Sequence, residues 1–432
     1  MTTAAAPIQK QASGILETSG KWLLTFVVVE LALGGGGRLL QIGPLTLRMM
    51  LFAVALTWVL VNLLWGTRLN ADICVLTVWY AILLLFGCVV GLASGADLSS
   101  VGEDVKPLSY FFMLPFFAMA IREVRDIRRV MAILRWCGLI LALFYLLVLL
   151  AQVAGLLTPM ALYLGFASLG PVKGQEFMSR VDPTAAPVLF FVYKGFLFLC
   201  VGVVLWARQK RAGILGLLIC AAAVLLTVVR GYLLALGAAF LVYVVFFQKR
   251  AWLKAVGVIV LVLATIGTME FLGSERSSRD VSRSDRVRIL TLDQVENRQT
   301  VRAAIIGHGL GIGVPVRPHG MEISYVQIYH QQGLIGLAFG FIALLWITVD
   351  TVAICRRGSS PDAVALYITA VTVLVESGTN PTINNPIGMS VLMIALVAIQ
   401  RIRESFREEL PAGGAPSGER GNFPIFGDNG IH

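Results

Sequence analysis

The sequence predicts an all-α polytopic membrane protein with about 12 transmembrane helices. Of its 432 residues, 57% are hydrophobic and only 14% are charged, whereas ordinary soluble domains carry about 25% charged residues. Apolar runs long enough to cross ~30 Å of hydrocarbon recur along the chain. The formal net charge of +10 is concentrated in short loops between these runs, which is typical of cytoplasmic loops. The basic charge therefore needs no nucleic acid as a partner.

The predicted spans divide the chain into five segments. Residues 1–21 form a cytoplasmic N-terminal segment that lacks the pattern of a cleavable signal, and residues 22–272 carry spans 1–9. Residues 273–332 form a large, partly helical loop, residues 333–400 carry spans 10–12, and residues 401–432 form a cytoplasmic tail that we expect to be disordered. The predicted spans are 22–36, 46–65, 73–92, 108–121, 131–153, 187–207, 213–229, 231–247, 252–272, 333–354, 362–377 and 385–400.

The distribution of basic residues places both termini in the cytoplasm. In this orientation the cytoplasmic loops carry Lys or Arg, as in REVRDIRR (122–129), RQKRAG (208–213) and RRGSSPD (356–362). The opposite short loops, such as ESGTNPTINNP (376–386), are poor in basic residues. The positive-inside rule counts only short loops, so the arginine-rich 273–332 segment can lie outside.

The 273–332 loop is the first place to look for chemistry. It holds eight arginines, three of the four histidines and no lysine. Its apolar spacing predicts a helix over Leu292–Ile306, with Arg298 and Arg302 paired on one face. Gly307–Gly313 (GHGLGIG) must form a turn, and Glu322–Gln332 is expected to begin the helix that continues as span 10. The earlier arginines of the loop alternate with Ser and Asp and are expected to form a solvated, flexible face: Arg276, Arg279, Arg283, Arg286 and Arg288.

Arg230 is the most informative single residue of the predicted membrane region. It lies in LLTVVRGYLLALG, at the outer end of a tight hairpin between two spans. A cation at that depth is costly unless it is paired or hydrated. Two interpretations stay open: Arg230 extends to the membrane interface, or it contacts a bound anion together with Arg298 and Arg302. The planar guanidinium suits phosphate and pyrophosphate better than lysine does.

A candidate general base precedes span 10. Either His319 or Glu322 could orient and deprotonate a sugar hydroxyl, although a carboxylate near several arginines is a weak base. The alternative is that Glu322 is only an ion-pair partner of a loop arginine. His308, His319 and His330 have no metal-ligand spacing, no nucleotide-binding P-loop is present, and we expect neither a metal nor a cofactor.

Two acidic residues of the predicted spans need partners, because buried charges in membranes are costly. Glu30 lies deep in the first span, and the sequence offers Lys194 or Arg38 as its partner. Asp350 lies near the inner end of its span, close to Arg356 and Arg357, and is expected to be interfacial.

Three pieces of the sequence, in this order, resemble the bacterial superfamily of O-antigen ligases and polysaccharide (O-antigen) polymerases. LTVVRGYLLAL is similar to its arginine–glycine hairpin, and NRQTVRAAIIGHGLGIG to its arginine-led helix and glycine-rich turn. ISYVQIYHQQGLIGLAFG is similar to its Tyr-Leu-Gln stretch, which runs into Gly-Leu-Ile-Gly at the next span. The resemblance implies a GT-C-like membrane glycosyltransferase in the bacterial inner membrane, with a periplasmic active site.

The resemblance also implies the substrates. The donor would be an oligosaccharide on undecaprenyl pyrophosphate, and the acceptor would be a glycan. A copolymerase that regulates chain length would be a further partner. Arg230, Arg298, Arg302 and Tyr325 would bind the pyrophosphate, and Glu322 or His319 would act as the base in a metal-independent, inverting transfer.

One departure separates polymerase from ligase. Ligases of this superfamily carry a His-Asn pair immediately before the Tyr-Leu-Gln stretch, and the corresponding positions here are Glu322 and Ile323. The glutamate favours a polymerase of surface polysaccharide repeat units. The alternatives are an O-antigen ligase that transfers glycan to lipid A–core in lipopolysaccharide biosynthesis, and a transporter of polysaccharide or lipid-linked oligosaccharide.

Overall fold

Most apolar runs of the sequence fold into helices within the part of the chain that the structure describes. This computed structural model describes residues 5–36, 40–42, 45–169, 184, 187–209, 211–248, 250, 278–318, 320–358 and 360–408. Strands β1 (Gln41–Ile42) and β2 (Leu45–Thr46) form a small antiparallel hairpin. The helices are α1 (Ala5–Leu33), α2 (Leu47–Leu64), α3 (Ala71–Ala93), α4 (Leu98–Leu108), α5 (Leu114–Ala120), α6 (Val124–Val153), α7 (Pro159–Ser168), α8 (Leu197–Ala207), α9 (Ile214–Thr227), α10 (Arg230–Val242), α11 (Ser278–Asn297), α12 (Val301–Ile306), α13 (Ser324–Arg357), α14 (Pro361–Glu376) and α15 (Pro386–Glu408).

The all-α membrane class is confirmed. Among the described residues, six helices are long and apolar enough to cross a membrane: Leu47–Leu64, Ala71–Ala93, Val124–Val153, Arg230–Phe247, Ser324–Arg357 and Pro386–Arg407. Two shorter apolar helices cover Lys194–Ala207 and Ile214–Thr227. The count of twelve spans stays a prediction, and the ninth predicted span, 252–272, lies outside the described residues, as does the tail after residue 408.

The predicted span 187–207 is helical only in its second part. Residues 187–193 are not helical, and the helix begins with a 3₁₀ turn at Lys194–Phe196 before α8. Leu189 of this segment is buried, and Gln152 of α6 bonds to both of its backbone polar groups: Leu189 N–H donates to Gln152 Oε1 at 2.8 Å, and Gln152 Nε2 donates to the Leu189 carbonyl at 3.4 Å. Non-helical backbone is tolerated at membrane depth where protein covers it. Helical periodicity alone does not reveal such a break.

Small residues and aromatic rings bring α6 and α8 together. Gly138 of α6 faces Gly202 of α8 so closely that a Cβ on Gly138 would lie 3.0 Å from the Gly202 Cα. Membrane helices use small residues in this way to let their backbones approach. About two helical turns further along α6, the Tyr145 ring packs on Phe191 and Phe196 at centroid distances of 5.1 and 5.2 Å. This packing holds the segment 187–193 against α6.

Each of the two intramembrane acids pairs with an arginine that the sequence analysis did not name. Glu30 is bonded to Arg48 of α2, whose Nε donates to Glu30 Oε2 at 2.9 Å with both side chains buried. Lys194 is exposed and Arg38 lies outside the described residues. Asp350 is buried within the protein, and it is paired with Arg403 of α15. Each true partner lies on a neighbouring helix, since helix packing rather than sequence distance decides which charges meet.

The loops segregate into the two groups that the charge pattern predicts. Helix α14, 16 residues long and hence about 24 Å, has one group at each end. At its start, the predicted cytoplasmic loops contact one another through Arg128–Asp362, Arg208–Asp362 and, nearby in the tail, Asn70–Glu404. At its end, the predicted outer loops meet through Arg230–Asp285, Arg288–Thr379 and Asp104–Gly311.

Candidate functional site

The outer loop contains two helices rather than one. Helix α11 (Ser278–Asn297) and helix α12 (Val301–Ile306) are separated by a break at residues 298–300, and Thr300 caps α12 by accepting from Ala303 N–H at 3.1 Å. The predicted single helix over Leu292–Ile306 is therefore wrong. Arg298 and Arg302 are not an i,i+4 pair on one helix face, because the break lies between them.

Helix α11 also corrects the prediction of a flexible arginine face before Leu292. Residues 278–297 are helical, although serine, arginine and aspartate give them no long apolar stripe. Near its end the helix buries Val295, which packs with Val314 and Met321 in a small hydrophobic cluster of the outer loop. The outer loop is therefore a packed unit, and α11 carries charged residues to a defined place.

The predicted turn at Gly307–Gly313 is confirmed, and four of its N–H groups, at residues 308–311, bond to other parts of the protein. Gly307, Gly309 and Gly311 have φ of 76°, 93° and 82°, the left-handed region that favours glycine. A Cβ on Gly309 would overlap the backbone of Gly91 in α3. Successive N–H groups of the turn donate to acceptors of the protein: His308 to His330 O, Gly309 to Gln331 O, Leu310 to Gly87 O, and Gly311 to Asp104 Oδ2. The turn docks the loop onto α3, α4 and α13, and these amides are not available to a phosphate.

The first turns of α13 carry a row of buried amide side chains. The predicted helix begins at Ser324, two residues after Glu322, but it does not continue unbroken into span 10, because Gly333 has a non-helical backbone with φ of 64° and ψ of −159°. Asn384 donates to Gln327 at 3.0 Å, Gln327 donates to Gln331 at 3.4 Å, and Gln331 donates to Asp104 at 2.6 Å. This row fixes the rotation of α13, and hence the direction of the residues that precede it.

A chain of ion pairs connects the start of α10, the middle of α11 and the segment just before α13. Arg230 Nη1 lies 3.6 Å from Asp285 Oδ2, and Asp285 Oδ1 lies 3.6 Å from Arg288 Nη1. Arg288 Nε donates to Glu322 Oε2 at 2.9 Å, and Glu322 Oε1 accepts from Arg317. We call these five residues the outer ion-pair cluster. Three arginines and two carboxylates leave it with one net positive charge.

The members of the cluster differ in accessibility. Arg230 and Asp285 are each 46% exposed at the side chain, whereas Glu322 is only 19% exposed. The long separation between Arg230 and Asp285 and their exposure make this pair the weakest link in the chain, since surface pairs contribute about 0–1 kcal/mol. Both Glu322 oxygens bond to guanidinium groups, so the sequence alternative of an ion-paired Glu322 describes this state.

Arg230 stands at a helix start that favours anions. It is the first residue of α10, which has no side-chain cap at its N-terminus. The positive end of the helix dipole therefore adds to the guanidinium charge. Two residues before Arg230, Val228 has φ of 55°, which is a strained conformation for a β-branched residue. That turn gives the hairpin the sharp reversal that presents Arg230 at the surface.

The other predicted site residues that the structure describes have contacts of their own. Arg298 is exposed and donates to the Gly313 carbonyl at 2.9 Å, which ties it to the turn that carries Arg317. Arg302 is exposed at the start of α12. Tyr325 donates its hydroxyl to the Leu374 carbonyl of α14 at 2.6 Å. Among the described residues, no ion pair joins Arg298 or Arg302 to the cluster, and His319 lies outside the described residues.

Two of the predicted loop histidines are neighbours. The rings of His308 and His330 are 4.6 Å apart at their centroids. Burial, followed by the charge of Arg298, lowers the pKa of His308, so the ring is neutral at physiological pH. Within the described part of the chain, no three His, Cys, Asp or Glu side chains are grouped so that they could hold a metal ion. The expected absence of a metal remains an expectation about the reaction.

Sequence reasoning missed three residues of the cluster. Arg288 and Asp285 were assigned to a solvated face, and Arg317 received no role. Arg288 also donates to the Thr379 carbonyl at 3.3 Å, beyond the end of α14. The buried Glu376 ends that helix and accepts from Asn380 at 2.6 Å. One sequence signal could have identified two of these residues. Asp285 and Arg288 have opposite charges at positions i and i+3, which is the spacing of neighbours on a helix.

Comparison with known proteins gives one relative over most of the chain. No family model matches the chain. A curated relative, described as "O-antigen polymerase" of Shigella flexneri, is 26% identical over 383 residues, which cover 87% of this chain and 94% of that protein. The similarity thus extends over the membrane helices and the outer loop together.

Proposed function

We propose that this chain, whose similarity to an O-antigen polymerase supports membership of the O-antigen polymerase/ligase superfamily, polymerises repeat units of a surface polysaccharide. That relative supports a role as a membrane polymerase of glycosyltransferase type. Within this role, we propose transfer from an undecaprenyl-pyrophosphate donor to an acceptor sugar hydroxyl on the periplasmic side. The observation that carries it is the outer ion-pair cluster, which gathers three arginines at one surface of the helical bundle.

Arg230 is the proposed first contact of the donor pyrophosphate. Its guanidinium is half-exposed, it begins a helix, and its partner Asp285 is 3.6 Å away. A pyrophosphate oxygen offers a closer, charge-assisted hydrogen bond of the kind that arginine makes bidentately. Asp285 therefore acts as the resident anion of the unliganded site, and the donor replaces it.

Arg298 and Arg302 are proposed to hold the far side of the pyrophosphate. Both are exposed on the loop that carries the turn at Gly313, and Arg298 has further N–H groups beyond the one given to the Gly313 carbonyl. Tyr325, whose hydroxyl is held by the Leu374 carbonyl, would offer its ring edge to the substrate. In this arrangement the positive charge surrounds the leaving group rather than the sugar.

The proposed reaction is an inverting displacement. The acceptor oxygen attacks the anomeric carbon, the bond between that carbon and the pyrophosphate oxygen breaks, and the lipid pyrophosphate leaves with the electron pair. The arginines stabilise the charge that grows on this leaving group, as fixed cations do for other phosphate leaving groups. Charge stabilisation of this kind is why the proposal includes no metal.

Glu322 or His319 is proposed to accept the acceptor proton. In the unliganded state Glu322 is bonded to Arg288 and Arg317. When the donor draws one of these guanidinium groups toward the pyrophosphate, a Glu322 oxygen becomes available to the acceptor hydroxyl. The same carboxylate then orients the hydroxyl for in-line attack and takes its proton.

A reconstituted assay tests the function. Purified protein in vesicles receives a defined lipid-pyrophosphate oligosaccharide, and its products are separated by length. Lengthening of the glycan without any other acceptor supports the polymerase. Transfer only after lipid A–core is added identifies a ligase instead, and movement of the donor across the membrane without product identifies a transporter. The non-helical segment 187–193 resembles the broken helices of transporters, but Gln152 occupies its Leu189 backbone groups.

A further inference from the structure

A second basic site lies at the opposite end of α14 from the outer ion-pair cluster. A pocket of about 220 Å³ opens between α6 and the end of α8, and Arg128, Arg135 and Arg208 line it together with apolar side chains and Gln209. Among the described residues, one carboxylate pairs with these arginines: Asp362 pairs with Arg208 and lies 3.4 Å from Arg128 Nε. The pocket therefore keeps an excess of positive charge.

The arginines of this pocket have hydrogen-bonding capacity left over. Arg135 Nε and Arg208 Nε are buried, and neither has a hydrogen-bond partner among the described residues. The Arg135 guanidinium rests on the Trp206 ring, 4.8 Å from its centroid, which holds the group in place without satisfying its N–H donors. Buried donors of a charged group are normally satisfied. An anion in the pocket would supply the missing acceptors.

An apolar surface continues from the pocket along α6. Trp136 packs edge-on against Trp206 at a centroid distance of 5.3 Å and is half-exposed. Ile140, Leu143 and Leu147 follow at the spacing of one helix face, and all three are exposed. Tryptophans between a basic rim and an apolar stripe are typical of a membrane interface. A ligand that fits has a phosphate at one end and hydrocarbon at the other.

We propose that this pocket binds the headgroup phosphate of an anionic phospholipid, with its acyl chains along the exposed stripe of α6. Basic pockets between membrane helices bind anionic headgroups in this manner. The phosphate accepts from Arg135 and Arg208 and is approached by Arg128. The site lies about 24 Å, the length of α14, from the outer ion-pair cluster, so it is separate from the proposed transfer site.

Native mass spectrometry of the full chain in detergent tests this proposal. Phosphatidylglycerol, zwitterionic phosphatidylethanolamine and inorganic phosphate are added separately and in competition. We expect phosphatidylglycerol to be retained preferentially, and Arg135→Gln to weaken its binding about fivefold, the effect of one arginine near anionic lipid. Arg125→Gln is the matched control, because Arg125 is 91% exposed and does not line the pocket.

Each other outcome overturns the proposal. Equal retention of the two lipids, or equal binding by Arg135→Gln and Arg125→Gln, removes the lipid site. Full displacement of the lipid by inorganic phosphate means that the pocket takes a free anion. Should Arg135→Gln fail to fold, Arg128→Gln keeps the test open, since Arg128 is 69% exposed and its loss leaves Asp362 paired with Arg208.

Discussion

Replacement of Arg230 by alanine should separate catalysis from folding. The side chain is 46% exposed, and its single ion pair, to Asp285, is 3.6 Å long. Such a pair contributes about 0–1 kcal/mol to stability, so the unfolding midpoint should move by a few degrees at most. A fixed cation that stabilises leaving-group charge is worth far more, about 10²- to 10³-fold in turnover. We therefore expect a folded protein that scarcely transfers.

The assay is glycan lengthening from a lipid-pyrophosphate donor in vesicles, with thermal unfolding measured on the same preparations. Arg125→Ala is the matched control, because Arg125 is 91% exposed and lies at the opposite end of the bundle. Arg230→Lys keeps the charge without the planar fork and should fall between the wild type and Arg230→Ala. Turnover of Arg230→Ala within about threefold of wild type would refute the reasoning, since it corresponds to less than ~0.7 kcal/mol.

Three further predictions concern the structure that supports the site. Gly91→Ala places a Cβ against a backbone carbonyl of the docked turn and should make the outer loop protease-sensitive, while Gly102→Ala, with open space around it, should not. Arg48→Met leaves Glu30 buried and unpaired, so unfolding should become easier by about 3–5 kcal/mol, and adding Glu30→Leu should recover most of that loss; no recovery would contradict the pairing. Burial and the nearby Arg298 guanidinium lower the pKa of His308 in the folded protein. The unfolded chain therefore binds the proton more readily, and the free energy of unfolding decreases as pH falls below about 6.5. His308→Gln should flatten the acid limb of a stability–pH curve.

The sequence predicted the positions of the long apolar helices and the two groups of loops. Runs such as 46–65 and 73–92 reappear as α2 (Leu47–Leu64) and α3 (Ala71–Ala93), because hydrocarbon thickness and helical rise set both the length and the composition of a span. The basic loops meet at one end of α14, as the positive-inside pattern predicts. The length of an apolar run and the charge of a short loop can each be read from one segment, without knowing which helices pack against it.

The partners of charged residues could not be predicted in the same way. Glu30 pairs with Arg48 because α1 and α2 pack side by side, and periodicity gives the depth of a residue but not the helix beside it. Helix α11 (Ser278–Asn297) was missed because its sequence has no apolar stripe in its first half. It is held by Val295 at its end and by the pairing of Arg288 with Glu322, contacts that exist only after the loop has folded. The sequence therefore predicted the region of the candidate site, but the ion pairs between its residues are seen only in the structure.

The central claim is that the outer ion-pair cluster holds the donor pyrophosphate. An experimental structure of the protein with a non-transferable lipid-pyrophosphate analogue measures this directly. The account predicts a pyrophosphate oxygen at about 2.7–3.2 Å from the Arg230 guanidinium, with Asp285 displaced from it. An analogue seated instead among Arg128, Arg135 and Arg208, with the Arg230–Asp285 pair intact, would contradict the account.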